Sequence, residues 1–325
     1  MCASLALAFG GNLVSVAHAA TPAPKPPFTV KIIGFNDFHG NLESPGTFGI
    51  TAVDTVKPAV GGAPYVAGFV ARLKAQNPLN VVVGAGDMIG ASPLVSALFS
   101  DEPTVESLNR VGLEFTSVGN HEFDKGSLEL QRLQNGGCKL NTDGSVAGSS
   151  CKGATVGTPV PFEGAKFKWL SANVVSTATG KTLFPAYGIK TFNGVKVAFI
   201  GMTLKDTPTI VTPSGVAGLQ FQDEADTVNA LIPRLRAQGI ESIVVLVHQG
   251  GFQSASSVSD INGCDGDLAG SDIAKIASRL DNAVDLVISG HTHTAYNCSA
   301  NTVNTTVSNG VTTRVPRAAG LPNAA

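Results

Sequence analysis

Val81-Val82-Val83-Gly84-Ala85-Gly86-Asp87 is the stretch that decides the fold. An unbroken β-branched run with no polar alternation is what a strand covered on both faces looks like. A glycine turn then delivers an aspartate at the carboxyl end of that strand. Runs of the same kind occur at Val30 to Phe35, Val195 to Ile200, Ile243 to Val247 and Val284 to Ile288. Helical patterns lie between them. Val66, Phe69, Val70 and Leu73 fall at i, i+3, i+4 and i+7, as do Val228, Leu231, Ile232 and Leu235, with Pro233 expected to kink the second helix. Asn193-Gly194 between two apolar segments predicts a two-residue hairpin, so an antiparallel pair joins the parallel strands. Mixed strands and crossover helices give an α/β architecture with helices covering the sheets. No internal repeat is visible.

Each of five short polar clusters follows an apolar run. They read Asn36-Asp37-Phe38-His39, Gly86-Asp87, Gly119-Asn120-His121-Glu122-Phe123-Asp124, His248-Gln249-Gly250 and Gly290-His291-Thr292-His293. The carboxyl ends of strands in open α/β sheets are where ligands bind, so residues far apart in sequence can converge on one crevice. Asp, His and the Asn side-chain oxygen form a mixed oxygen and nitrogen donor set that suits two divalent metals. Two such ions side by side favour in-line attack of water on a phosphate ester.

The individual signals differ in weight. Asp37 and His39 are separated by one residue and can point the same way from an extended segment; alone, such a pair is weak. A lone Gly86-Asp87 is more often an ordinary turn, but a carboxylate can bridge two cations. Asn120 offers a neutral oxygen, His121 a general acid, and Asp124 a group that fixes the imidazole tautomer. The bland reading of the same residues is a capped helix start with Asn120 as N-cap, and the two readings are compatible. Glu122 has a weaker case, as support for these residues or for the helix start. Single histidines at strand ends are usually structural, but His248, His291 and His293 join the earlier set, which makes coincidence a poor explanation. Gly84-x-Gly86-x-x-x-Gly90 does not have the dinucleotide-binding spacing, and it puts Asp87 where a pyrophosphate would sit. Neither a G-x-S-x-G elbow nor a P-loop is present.

Composition narrows the partners. The 325 residues carry 22 Lys and Arg against 24 Asp and Glu, a net charge of -2, with the basic residues scattered. Polymeric nucleic acid is therefore not an expected partner. A small anionic substrate is, because metal ions can supply positive charge locally. Residues 1–20 are apolar and end in Ala17-His18-Ala19, a small-x-small cleavage pattern, although no Lys or Arg precedes the apolar stretch. The expectation is a signal peptide over 1–20, a Pro-rich spacer over 21–27, no stable membrane anchor, and a secreted or periplasmic location. Of the five cysteines, Cys2 leaves with the leader; local pairing of the rest gives Cys138 with Cys151 and Cys264 with Cys298. Residues 299–325 lack periodicity and are expected to be an irregular tail.

The order D-x-H, GD, GNHE-x-D, H, GHTH resembles the calcineurin-like metallophosphoesterases, and within them the secreted 5′-nucleotidase and UDP-sugar hydrolase family. The resemblance runs from Phe28 to Cys298 and includes Gly201 to Pro208. It implies a catalytic domain over 28–298 with a four-layer αββα sandwich, two mixed sheets flanked by helices and a dinuclear site at one edge. Asp37, His39 and His293 would hold one ion, and Asn120, His248 and His291 the other. Asp87 would bridge them, and His121 with Asp124 would be the catalytic pair. A metal-bridging hydroxide would attack phosphorus in line. Zn, Mn, Co, Fe or Mg all occur in such sites, and His293 favours nitrogen-preferring metals. The implied function is hydrolysis of nucleotide phosphate monoesters. Cyclic nucleotides, UDP-sugars or sulfur-linked esters are alternative substrates, and a non-catalytic metal-binding remnant is the alternative class. Family members carry a second, C-terminal nucleotide-binding domain; with Ala325 so close behind His293, that domain is expected to be absent and the tail truncated.

Overall fold

Residues 26–47, 56–253 and 266–298 are described by the computed structural model, with the backbone of three strands beyond them. The leader, most of the spacer, and Cys264 lie outside the described residues. Strand β1 (Lys31–Phe35) is followed by the short pair β2 (Gly46–Thr47) and β3 (Ala59–Val60), then helix α1 (Ala63–Ala75) and β4 (Asn80–Gly84). Helices α2 (Leu94–Ala97) and α3 (Glu102–Val111) lead to β5 (Phe115–Ser117), and α4 (Ser127–Asn135) precedes β6 (Lys168–Leu170). Together β1-β4-β5-β6, in that order, form a parallel sheet.

Strand β7 (Val174–Ser176) opens the second half, followed by β8 (Tyr187–Phe192), β9 (Val195–Thr203) and α5 (Thr207–Ile210). Next come β10 (Leu219–Phe221), which pairs with β7, then α6 (Glu224–Ala237), β11 (Ser242–His248), α7 (Asp272–Arg279) and β12 (Leu286–Ser289). Beyond them lie β13 (Thr302–Ser308), β14 (Val311–Pro316) and β15 (Asn323–Ala324). The second sheet runs β15-β12-β11-β9-β8, with only β8 antiparallel. The Asn193-Gly194 turn joins β8 to β9 with φ of 48° and 83°, both in the left-handed region a two-residue hairpin requires. Helices α6 and α7 start on side-chain caps, Asp223 accepting from the Asp226 amide and Ser271 from that of Ala274.

The apolar runs are read out on alternating faces. Val81 and Val83 point between the two sheets with Phe115, Leu170, Val197, Phe199, Val244 and Leu246, while Val82 faces the helix layer of α1, α3 and α4. On the second sheet Ile200, Ile243, Val245 and Val247 face α6 and α7. Four layers result, α-β-β-α, with Phe115 and Phe199 stacked across the middle at 5.3 Å between ring centroids. The mixed character is carried by the second sheet; the described strands of the first are all parallel.

Two expectations need correction or completion. Phe69, placed on the inner face of its helix by periodicity, is 61 % exposed, whereas Val70 beside it is 4 % exposed. The buried stripe of α1 is narrower than the four-residue pattern suggested. Helix α6 runs to Ala237 with Pro233 inside it, as the pattern placed it. The tail is not irregular throughout: β13 and β14 form an antiparallel pair, and β15 adds in parallel to β12. The missed signal was Asn309-Gly310 between runs rich in Val and Thr.

Cys138 and Cys151 are bonded, as expected, with Cα atoms 5.5 Å apart. Their loop is anchored by buried Glu102, which accepts from the Cys151 amide at 2.8 Å and pairs with Arg132 at 2.9 Å. Cys298 is disulfide-bonded too, and its expected partner lies outside the described residues. The layer assignment makes a direct prediction. In urea unfolding, Phe199→Ala should cost about 3–5 kcal/mol by leaving a cavity between the sheets. Phe69→Ala should stay within about 0.5 kcal/mol of the parent.

Candidate metal centre

All five clusters come to one edge, at the carboxyl ends of parallel strands from both sheets. Asp37 and His39 follow β1, Asp87 follows β4, and Asn120, His121 and Asp124 follow β5. His248 ends β11, and His291 and His293 follow β12. The two loops after β1 and β4 are laced by main-chain bonds, Asp37 amide to Gly86 carbonyl at 3.1 Å and His39 amide to Asp87 carbonyl at 3.0 Å.

The backbone is strained here. Asp37, His39, Asp87, His291 and His293 have φ of 52°, 47°, 51°, 78° and 54°. None is glycine, and each such conformation costs on the order of 1–3 kcal/mol. Five of them along one edge mark a place where side-chain direction outweighs backbone comfort. Gly119 shows how tightly the loops meet: a Cβ there would lie 2.1 Å from the Asp87 carboxylate.

Two triads result. The potential ligand atoms of Asp37, His39 and His293 lie within 4.8 Å of one another, and so do those of Asp87, His248 and His291. Asp87 touches both groups, its Oδ2 sitting 3.0 Å from His248 Nε2 and 3.6 Å from His39 Nε2. Asn120 Oδ1 is 3.0 Å from the same His248 nitrogen. The short 3₁₀ turn His121–Phe123 follows Asn120, but the asparagine side chain makes no cap bond, so the capping reading is not realised.

The donor set itself tests whether a cation fits. His248 directs Nδ1 at the Ala85 carbonyl (2.7 Å) and His39 directs Nδ1 at the Gly90 carbonyl (2.9 Å). Each ring thus uses its N–H on a main-chain oxygen and turns the Nε2 lone pair inward, the arrangement that orients a metal-binding imidazole. Inside, His248 Nε2, Asn120 Oδ1 and Asp87 Oδ2 are acceptors facing acceptors. One relief is a proton: burial pushes the His248 pKa down, but the Asp87 carboxylate more than reverses this, to about 9. Burial raises Asp87 in turn, and His248 outweighs it, holding the carboxyl at about 2. A divalent cation relieves all three atoms at once. The residues fit.

His121 sits at the mouth. Its Nδ1 is 3.0 Å from Asp124 Oδ2, which also accepts from the Ala91 amide at 3.0 Å. The bond to Asp124 raises the imidazole pKa, partly offset by burial. Its own amide donates to Asp87 Oδ1 at 2.9 Å. A cleft of about 870 Å³ opens beside the first triad, between Asn41, Ile288 and Tyr296. The main residue undervalued by the sequence reading is Glu122, buried at 2 % exposure, with burial and then Asp87 lifting its carboxyl to about 7.

Comparisons with known proteins identify the family. Residues 30–295 match the family described as calcineurin-like phosphoesterase. An uncharacterized protein from Acinetobacter calcoaceticus is 46 % identical over 200 residues, 59 % of this chain and 93 % of that protein. The endonuclease YhcR of Bacillus subtilis is 32 % identical over 86 % of this chain and 21 % of its own length. A solved 5′-nucleotidase precursor from Thermus thermophilus superposes with a TM-score of 0.58 at 26 % identity, covering 82 % of this chain and 42 % of the other. The chain thus spans about a fifth of the endonuclease's length and two fifths of the nucleotidase's. With most of its length matched, the chain belongs to the calcineurin-like phosphoesterase family, hydrolases that act on phosphoric esters with divalent metal ions.

Proposed function

We propose that this chain is a metal-dependent phosphomonoesterase acting on nucleotides, with residues 28–298 as its catalytic domain. The observation that carries the reading is the pair of triads, with Asp87 of the second also 3.6 Å from His39 of the first. In this reading Asp37, His39 and His293 would hold one divalent ion and Asn120, His248 and His291 a second, with Asp87 available to both. Such ions, when bound, supply Lewis acidity to the phosphoryl oxygens and lower the pKa of water. Four imidazoles in the set favour Zn, Mn, Co or Fe over Mg.

The chain's own residues supply the rest. Asp124 holds His121 by Nδ1, which leaves Nε2 to present a proton to the leaving ester oxygen. The bond to Asp124 raises the His121 pKa, which favours the protonated ring. Solvent reaches this ring at the mouth, so the leaving group departs outward while the phosphoryl group stays over the triads. A mononucleotide suits the site better than a polymer, because the net charge of -2 and scattered lysines give no track for a long phosphate backbone. A secreted or periplasmic location accords with the apolar segment over 1–20 and the Cys138–Cys151 bond. Among the described residues no helix is long and apolar enough to cross a membrane.

Phosphate release from AMP is the direct test, with the chain stripped of metal and then resupplied with Mn, Co or Zn. UDP-glucose, a cyclic nucleotide and a single-stranded DNA oligonucleotide serve as competing substrates. Metal-restored AMP turnover is the expected result. Silence on AMP with cleavage of the oligonucleotide would move the substrate class to nucleic acid, and silence on every ester from metal-loaded protein would sink the enzyme reading. Asp87→Asn should lose metal uptake and turnover together; full hydrolysis by that variant would remove Asp87 from between the ions. His121→Ala should retain metal uptake, seen by calorimetry, while kcat falls about 10²- to 10⁴-fold.

A further inference from the structure

Glu122 is spent on neither triad, yet it is one of the most enclosed acids in the molecule. Its Oε1 accepts the Met88 amide at 2.8 Å and, more distantly, that of Ile89 at 3.4 Å. Its Oε2 accepts the Asp87 amide at 2.9 Å and the Gly119 amide at 2.6 Å. Every one of these donors is main chain, and they come from two loops that follow different strands, β4 and β5. The carboxylate is a clasp between them.

Asp87 in the left-handed region turns successive amides of its loop to one side, forming a concavity that calls for an anion. A buried carboxylate is a costly way to fill it, and a neutral side chain would be worse matched. Glutamine in the same pose would aim an NH₂ at amides that themselves donate, and an apolar residue would leave them without an acceptor. The Asp87 loop carries the carboxylate of the second triad, which also approaches His39 of the first, and the Gly119 loop carries Asn120.

We propose that Glu122 is a positioning residue: by accepting the amides of Asp87, Met88 and Gly119 it sets the separation of the Asp87 carboxylate and the Asn120 side-chain oxygen at which one cation satisfies both. The ligand assignment rests on the reading given under the proposed function. The role of Glu122 is separate from turnover, because its effect is exerted on the loops before any substrate arrives.

The test uses the full chain stripped of metal. Mn²⁺ affinity is measured by calorimetry for the parent, Glu122→Gln, Glu122→Asp and, as a control for lost stability, Ile232→Ala in the helix layer of the second sheet. Amide hydrogen exchange at Asp87, Met88 and Gly119 is followed in each. Glu122→Gln is expected to weaken Mn²⁺ binding about 10- to 100-fold, the usual effect of removing a group that orients metal ligands, and to speed exchange at those amides. Ile232→Ala should lower the melting temperature while keeping parental affinity. Should Glu122→Gln fail to fold, Glu122→Asp carries the test: one methylene shorter, it keeps the charge and cannot span both loops, so its affinity should also fall. Parental affinity in whichever glutamate variant folds, or an equal loss in Ile232→Ala, overturns the proposal. A parent that binds Mn²⁺ but leaves AMP intact would sink the nucleotidase reading and leave Glu122 standing.

Discussion

The site is divided between two sheets, and everything it can do depends on the layer that joins them. Asp37, His39, Asp87 and Asn120 ride on the first sheet, His248, His291 and His293 on the second. Valine, leucine and phenylalanine side chains between the sheets resist compression but carry no direction of their own. Direction comes from polar bonds at the upper rim. The Thr203 hydroxyl, at the end of β9, donates to the Val118 carbonyl at 2.7 Å, one residue before Gly119. Asn173 grips Thr203 from both sides, accepting its amide at 3.0 Å and donating to its carbonyl at 2.6 Å. The Leu204 amide then bonds the His248 carbonyl at 3.1 Å. This accounts for the motif residues between Gly201 and Pro208: they link the Asn120 loop of one sheet to the His248 strand of the other.

Charge is the second constraint. Asp37, Asp87 and Glu122 bring three carboxylates to one partly dry edge, where mutual repulsion is little screened. The protein answers with partners matched to each. Asp37 accepts the His291 amide at 2.9 Å, Asp87 accepts that of His121, and Glu122 collects the loop amides. What remains unbalanced points inward, toward the imidazole nitrogens of His39 and His248. Together with five left-handed non-glycine residues, this edge departs from what local stability would choose. Such departures concentrate where function is built.

Legibility from sequence followed the same division. The central strands were plain because residues covered on both faces need no alternation, and Val81–Val83 and Ile243–Val247 obey that rule. The Asn193-Gly194 hairpin was plain because few other dipeptides accept positive φ twice. Phe69 was misread because helical periodicity says which residues share a face but not how wide the covering layer is. The gathering of the nine candidate residues on one edge was anticipated from strand-end positions together with the motif resemblance. The inward aim of His39 and His248 was not, because it is set by carbonyls of Gly90 and Ala85, and main-chain acceptors leave no trace in sequence. Glu122 was undervalued for the same reason: its partners are amides, identical at every position.

A split site also turns ligand binding into a structural force. The two triads draw atoms from both sheets, and Asp87 of the second also approaches His39 of the first. Anything bound there is held by groups whose spacing exists only in the folded arrangement, so its binding free energy adds to folding as RT ln(1 + [L]/Kd). At a hundredfold excess over Kd that is about 2.7 kcal/mol, similar to the cost of one or two of the strained conformations along the edge. Strain and charge crowding are therefore tolerable in a domain whose middle layer is apolar and continuous. The inter-sheet core keeps the fold while the rim is kept poor in comfort, and the cation that the rim is shaped to take returns part of the cost.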